Sequence, residues 1–141
     1  MGTVIGGVIP ALLLGLFGVL QKAASINGIG VGIYLVLSGV TITLTGVVVC
    51  LGFPDKNITI PSAIFTCLAA FLWAISMGLI QLALSFYQVE ISRLVPLFNM
   101  NTLVAVALGL WFFSEWNSTN LLTLGIGACF VVLGGILVTV S

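Results

Sequence analysis

Five long apolar stretches constrain what this chain can fold into. They cover residues 3–24, 28–51, 60–86, 92–113 and 118–140. Each is long enough to cross the ~30 Å of hydrocarbon in a bilayer at ~1.5 Å per helical residue. Because an open sheet edge would leave backbone groups unpaired in lipid, we expect every stretch to be a helix. The sequence therefore predicts an all-α integral membrane protein with five transmembrane helices.

The composition agrees with a surface that faces lipid. Hydrophobic residues make up 61% of the chain and charged residues 4%, whereas a soluble domain carries roughly 25% charged residues. The connections between the stretches are short, which favours antiparallel neighbours and leaves no room for a soluble domain. We therefore expect one antiparallel bundle, a single membrane domain over residues 1–141 in the cell (plasma) membrane.

Composition also argues against several classes of function. The net charge is zero without a basic run, so nucleic-acid binding has no support. The chain has no histidine, and the apolar stretches hold no carboxylate, so we expect no enzyme, cofactor or metal site. Cys50, Cys67 and Cys129 lie far apart, and we interpret them as small buried residues rather than redox or metal ligands.

The fourth stretch opens with polar residues that are unusual at a membrane entry. Pro96 is expected in its first turn, where a missing N–H costs little. Asn99 and Thr102 share a helix face, whereas Asn101 points elsewhere. Such side chains are costly in lipid unless they meet water, a ligand or another helix. Cavity lining and bonding between helices both remain open.

The turn after the fourth stretch carries a charge and possible caps. Glu115 is expected to end the fourth helix, where its charge suits the start of the fifth. Asn117 or Ser118 is expected to cap the fifth helix.

The third stretch carries a stripe at helical spacing, formed by Trp73, Met77, Gln81 and Ser85. Gln81 is costly in the membrane unless it is hydrogen-bonded. It serves either an interhelical bond or the polar wall of a cavity. Lys22 reaches the interface or the mouth of such a path. The candidates for a substrate path are Trp73, Gln81, Asn99, Thr102, Lys22 and Arg93.

Glycines repeat at spacings that place them on one helix face. Small residues allow the close backbone approach on which helix packing in lipid depends. We interpret them as packing surfaces, and those of the fifth stretch could equally serve a second subunit. The candidate packing glycines are Gly32, Gly39, Gly46, Gly127 and Gly134.

The charges that orient the chain are nearly balanced. Lys22 and Arg93 fall on one predicted side of the membrane and Lys56 on the other. This weakly favours an outside N-terminus and an inside C-terminus. Since one residue decides the bias, insertion in both orientations is feasible.

Three segments together carry a resemblance to a known family. They read LAAFLWAISMGLIQLALSF, RLVPLFNMNTLVAVALGLWFFSE and LLTLGIGACFVVLGGILVTVS. With Val95-Pro96-Leu97 opening the fourth helix and Phe113-Ser114-Glu115 closing it, the chain resembles an EamA-like domain of the drug/metabolite transporter superfamily. It departs from that pattern at Leu14-Gly15, where such domains often carry Trp-Gly.

The resemblance implies a half-size transporter. Family members commonly carry two inverted five-helix repeats, and this chain has one. It implies a dimer, either a homodimer (antiparallel if self-inverted) or a heterodimer with a sister subunit, that moves small organic metabolites by alternating access. Because the candidate path residues are neutral or cationic, we expect polar or anionic metabolites rather than cations. Small multidrug resistance proteins resemble the chain in size, but residues 3–24 lack their buried carboxylate. The alternative is a non-transporting accessory or assembly subunit of a larger membrane complex.

Overall fold

The protein is entirely helical in the part that the structure describes. The structure is a computed structural model that describes residues 1–2, 4–53, 57–114 and 120–140, with 139 and 140 as backbone only. The described residues are 86% helix and form no strand. This confirms the predicted all-α class. Five helical segments are long and apolar enough to cross a membrane, which indicates a multi-pass membrane protein: Val4–Ile26, Val31–Gly52, Ile60–Ser85, Ile91–Phe113 and Leu121–Val138.

The helices fall into two compact units. Met1–Gln88 is unit 1 and Val89–Ser141 is unit 2, and each is described by itself. The single membrane domain stays a prediction. After a π-helical segment at Val4–Val8, the helices are α1 (Ile9–Ile26), α2 (Val31–Gly52), α3 (Ile60–Ser85), α4 (Ile91–Phe98), α5 (Asn101–Phe113) and α6 (Leu121–Val140).

A glycine turn ends α1 and delays the start of α2. Gly28 adopts φ +83°, a left-handed conformation that side chains with a Cβ disfavour. Its N–H donates to the Ser25 carbonyl at 3.0 Å, and the Ile29 N–H donates to the Ala24 carbonyl at 3.3 Å. These paired bonds are a Schellman motif. The second helix therefore begins at Val31 and not at residue 28, where the apolar stretch begins.

In unit 1, α3 packs against both α1 and α2. The Ser25 hydroxyl on α1 lies 3.1 Å from the Ser85 hydroxyl on α3. A Cβ at Gly78 on α3 would lie 3.3 Å from Leu35 on α2. The packing is concentrated where α1 and α3 end and α2 begins. The buried side chains described in this unit lie there: Gln21, Ser25, Tyr34, Gln81 and Leu84.

In unit 2, the fourth span is interrupted, whereas we expected one helix over residues 92–113. The span divides into α4 and α5 around Asn99 and Met100. Pro96 lies inside α4, past the first turn in which we placed it. Its ring removes an N–H and crowds the preceding turn. The Met100 N–H then donates to the Leu97 carbonyl at 3.2 Å, and the Thr102 N–H donates to the Asn99 carbonyl at 3.1 Å. These bonds span three residues and not four, so the span tightens into a 3₁₀-like turn, here called the helix break, in which Asn99 and Met100 keep right-handed helical dihedrals.

The start of α6 differs from the expected cap. Asn117, Ser118 and Glu115 lie outside the described residues. The helix begins at Leu121, and the Asn120 side chain accepts a hydrogen bond from the Thr123 N–H at 3.2 Å. An asparagine in that position satisfies one of the unpaired donors at a helix start. The cap of this helix is therefore Asn120.

The helix break is also where α4 and α6 approach each other. Gly135 on α6 is buried, and a Cβ at this position would lie 3.6 Å from the Met100 sulfur and 3.8 Å from the Pro96 carbonyl oxygen. Those distances accommodate a methyl group and nothing larger. Gly135 therefore sets how closely the interrupted span and α6 can pack.

The predicted packing glycines have open space beside them. A Cβ at any of Gly32, Gly39, Gly46, Gly127 or Gly134 meets no other side chain or neighbouring segment of the described chain within 4 Å. Their packing role stays a prediction, now directed at a second chain. The three cysteines were expected to be buried and are exposed, because they lie on helix faces that no described element covers.

The two adjacent glycines of α6 provide a matched test of the α4–α6 contact. We expect Gly135→Leu to lower the free energy of unfolding by about 1–3 kcal/mol, since the larger side chain overpacks against Met100 and Pro96. Gly134→Leu is the control, because it adds the same side chain on an open face. Denaturant unfolding of the purified chain in detergent measures both. Equal loss in the two variants would contradict this contact.

Candidate functional site

Four polar side chains lie on α1 and α3, two helices that pack against each other, and we call them the Gln–Ser cluster: Gln21, Ser25, Gln81 and Ser85. Gln81 Nε2 donates to the Ser85 hydroxyl at 2.9 Å, and the Ser85 and Ser25 hydroxyls lie 3.1 Å apart. Gln81 is 0% exposed and Gln21 2% exposed. A buried amide without a hydrogen bond is costly in an apolar surrounding, so separating these groups would cost free energy. The bonds therefore hold the ends of the two helices against each other.

Hydroxyl groups elsewhere in unit 1 behave differently. The Ser76 hydroxyl donates to the Leu72 carbonyl of its own helix at 2.9 Å. Thr41, Thr43, Thr45 and Thr66 likewise donate to carbonyls four residues earlier. Such back-bonding satisfies a hydroxyl on a lipid-facing surface without a partner helix. Of the hydroxyl groups compared here, those of the Gln–Ser cluster form a side-chain hydrogen bond between two helices, and the others bond within their own helix.

Three buried polar atoms at this end of unit 1 have no hydrogen-bond partner among the described residues. They are Gln21 Nε2, Gln81 Oε1 and the Tyr34 hydroxyl. Ser38 lies near enough to influence the Tyr34 phenol electrostatically, but no bond of ordinary geometry forms. Native proteins rarely leave buried groups unpaired. Hydrogen-bonding capacity is therefore left unused at this end of unit 1.

The other path candidates of unit 1 flank the cluster. Trp73 lies on the same stripe of α3 as Gln81, about 12 Å earlier along the helix, and is 39% exposed. Met77, between them, is half-buried. Lys22 is half-buried on α1, next to Gln21. The stripe thus passes from an exposed aromatic ring to a buried amide.

In unit 2, a groove of about 520 Å³ runs between α5 and α6. Polar groups line it at Thr102, Asn120 and Thr123, and the remainder is apolar. The structure thereby brings the path candidate Thr102 close to the predicted packing residue Gly127. The lining residues are Thr102, Leu103, Val106, Asn120, Thr123, Leu124, Gly127, Ala128 and Val131.

Asn99 and Thr102 meet at the helix break. The Thr102 hydroxyl donates to the Asn99 carbonyl at 2.9 Å, and the Asn99 side chain is exposed. Arg93, one turn before Pro96, donates through Nε to Glu90 Oε2 at 3.1 Å. Its charge is therefore compensated locally, which weakens its role as an anion-attracting group at a pore mouth.

No protein-family model, no curated protein and no solved structure matches the chain. The resemblance to EamA-like domains therefore stays an expectation. Function has to be argued from the two sites themselves.

The list of path candidates omitted part of the Gln–Ser cluster. Of the four, the list named Gln81 alone, and Ser85 appeared only in the stripe. Gln21 and Ser25 were passed over, although Gln21-Lys22-Ala23-Ala24-Ser25 matches Gln81-Leu82-Ala83-Leu84-Ser85 as Gln-x-Ala-x-Ser. That repeat is the signal that could have found them, since residues four apart share a helix face. Tyr34 had no comparable signal, because its burial depends on packing against α3.

Ser85 and Ser76 on α3 offer a matched test of the cluster. We expect Ser85→Ala to lower the free energy of unfolding by about 1–2 kcal/mol, because it leaves both Gln81 Nε2 and the Ser25 hydroxyl without this partner. Ser76→Ala removes a hydroxyl bonded only to its own helix and should cost less than about 0.5 kcal/mol. Denaturant titration in detergent measures the difference. A neutral Ser85→Ala would show that the cluster does not hold α1 to α3.

Proposed function

We propose that this chain is a half-size membrane transporter subunit with five transmembrane helices in an antiparallel bundle, placed in the cell membrane. It moves small polar or anionic organic metabolites by alternating access as a dimer. The observation that carries the proposal is the interruption of the fourth span at Asn99 and Met100. The resemblance to EamA-like domains points in the same direction.

The interruption supports transport because of where it occurs. A tightened 3₁₀ turn in the middle of a helix often marks a functional hinge. Discontinuous helices are a recurrent way in which secondary transporters build a substrate site near the midplane. The exposed amide of Asn99 and the hydroxyl of Thr102 lie at this break. They are the groups we assign to substrate contact in unit 2.

The sparse packing of the chain supports a dimer. The most hydrophobic window of α2 has none of its residues buried, and the corresponding share is 11% or less in every other span. The large apolar residues buried among the described ones are Tyr34 and Leu84. A second copy, inverted or parallel, or a sister subunit would cover part of this surface, and lipid the rest.

An accessory or assembly subunit is the second candidate, and the glycine faces favour it. Gly32, Gly39 and Gly46 present an open face along α2, which suits a helix of a larger partner. This candidate requires a stable hetero-complex and predicts no flux from the chain alone.

Flux measurements on reconstituted chains test the transporter. We expect Asn99→Leu to reduce solute uptake into proteoliposomes about tenfold or more, the effect of losing ~1.4 kcal/mol of stabilisation of the bound solute. Thr102→Val should reduce uptake as well, since it removes the hydroxyl at the break. Thr41→Val is the control, because that hydroxyl bonds only to the Leu37 carbonyl of its own helix.

Protein amount and helix content are held equal across these variants. Unchanged uptake in both Asn99→Leu and Thr102→Val would remove the break from the transport path. Absence of uptake by the unmodified chain across neutral and anionic solutes would favour the accessory subunit.

Topology gives an independent prediction. Cys50, Cys67 and Cys129 are exposed, so we expect their replacement by alanine to be tolerated without a loss of core packing. In that background, Ser141→Cys should be labelled by an impermeant thiol reagent from both sides of the membrane in similar amounts. This is the expected result of nearly balanced flanking charges and an antiparallel homodimer. Labelling from one side alone would exclude the self-inverted dimer and direct the search to an oppositely oriented partner.

A further inference from the structure

The Gln–Ser cluster contains the same short pattern twice. Gln21 and Ser25 lie four residues apart on α1, and Gln81 and Ser85 lie four residues apart on α3. At that spacing the two side chains share a helix face, about 6 Å apart along the axis. The contact between Ser25 and Ser85 joins the two faces. Both glutamines are buried, so they belong to the packed side of their helices.

The bonds within the cluster leave one atom of each glutamine unpaired. Gln81 uses its Nε2 on Ser85, and among the described residues neither Gln81 Oε1 nor Gln21 Nε2 has a partner. One of these atoms is an acceptor and the other a donor. A hydroxyl group both accepts and donates, so a single hydroxyl placed between the two amides can satisfy both in the orientation that the structure has.

The charges around the cluster favour an uncharged ligand. The four cluster side chains are neutral, and so is Tyr34, the third group with an unpaired buried atom. Lys22 follows Gln21 directly, but successive residues are about 100° apart around a helix. A carboxylate or ammonium buried here would lose hydration without a charged partner. A hydroxyl loses far less.

We propose that Gln21 and Gln81 together bind a hydroxyl group of a small uncharged polyol, which accepts from Gln21 Nε2 and donates to Gln81 Oε1. Tyr34 is a further hydroxyl contact at the same end of the unit. The proposal rests on the proposed function in one respect: a transporter needs a solute at such a site, whereas a purely structural cluster needs only water. It narrows the substrate class from polar or anionic metabolites to neutral polyols.

Binding of xylitol to the full chain in detergent tests the site, with xylonate as an anion of similar size. Thermal unfolding is followed as each compound is titrated. We expect a saturable rise of the unfolding midpoint with xylitol and none with xylonate. Gln21→Met and Gln81→Met keep the side-chain length but remove the amide, and each should weaken xylitol binding about tenfold, which corresponds to ~1.4 kcal/mol. Thr66→Val is the control and should bind as the unmodified chain does, because its hydroxyl bonds to the Ser62 carbonyl of its own helix.

Several results would overturn the proposal. The proposal is wrong if xylitol produces no saturable shift in the unfolding midpoint of the unmodified chain, or if xylonate binds to that chain equally well. Unchanged xylitol affinity in both methionine variants would place the ligand elsewhere. The losses of unfolding free energy in Gln21→Met and Gln81→Met can also be compared with the loss in the double variant. If they are strongly non-additive and xylitol does not bind, the two amides are coupled by water or by a direct hydrogen bond and not by a polyol.

Uptake of labelled xylitol into proteoliposomes separates this site from the proposed function. Saturable binding that depends on both glutamines, with no uptake by the reconstituted chain, would support the polyol site and contradict transport. Uptake that is equal in the unmodified chain and both methionine variants would support transport and overturn the polyol site.

Discussion

Lipid offers no hydrogen bonds to the backbone, and the rest of the structure follows from that constraint. Each span satisfies its own N–H and C=O groups by forming a helix. At the helix ends the chain adds local partners, such as the glycine turn after α1 and the Asn120 side chain before α6. The fourth span departs from this rule inside an apolar stretch. Pro96 removes the donor that would serve the carbonyl four residues earlier, and beyond it the Met100 and Thr102 N–H groups bond to carbonyls three residues back and not four.

The same constraint sorts the polar side chains into two groups. Hydroxyls on open faces, such as those of Thr43 and Ser76, bond to their own helix and so require no neighbour. Gln21 and Gln81 are too long and carry too many polar atoms for that solution, and the structure buries them between helices. A side chain that is buried and still unsatisfied carries information about a ligand or partner, whereas a threonine such as Thr43, back-bonded within an uninterrupted helix, carries none.

Hydropathy alone predicts the five helical spans, because the need to pair the backbone in lipid leaves little choice of fold. It does not predict the tightened turn at Asn99 and Met100, because mean hydropathy is insensitive to which carbonyl each N–H reaches. We expected Pro96 in the first turn of the helix, where a proline costs little. The helix begins at Ile91, however, so Pro96 lies inside it. Of the cluster, Gln81 was found by its position in an apolar stripe. Gln21 was passed over, because beside Lys22 at a helix end it resembles an ordinary interfacial residue.

The forces that hold unit 1 together bear on how it could move. Apolar contacts between helices gain little in lipid, whose tails are equally apolar, so polar bonds and close packing carry much of the association. In unit 1 those bonds are concentrated in the Gln–Ser cluster, where α1 and α3 end. A hydroxyl bound to the two glutamines would therefore act on the same groups that join the helices. Suppose that the hydroxyl binds with different affinity when α1 and α3 are in contact and when they are apart. It then shifts the equilibrium between these two states by the difference in binding free energy and no more. Solute occupancy and the separation of α1 from α3 are then linked by the same few hydrogen bonds.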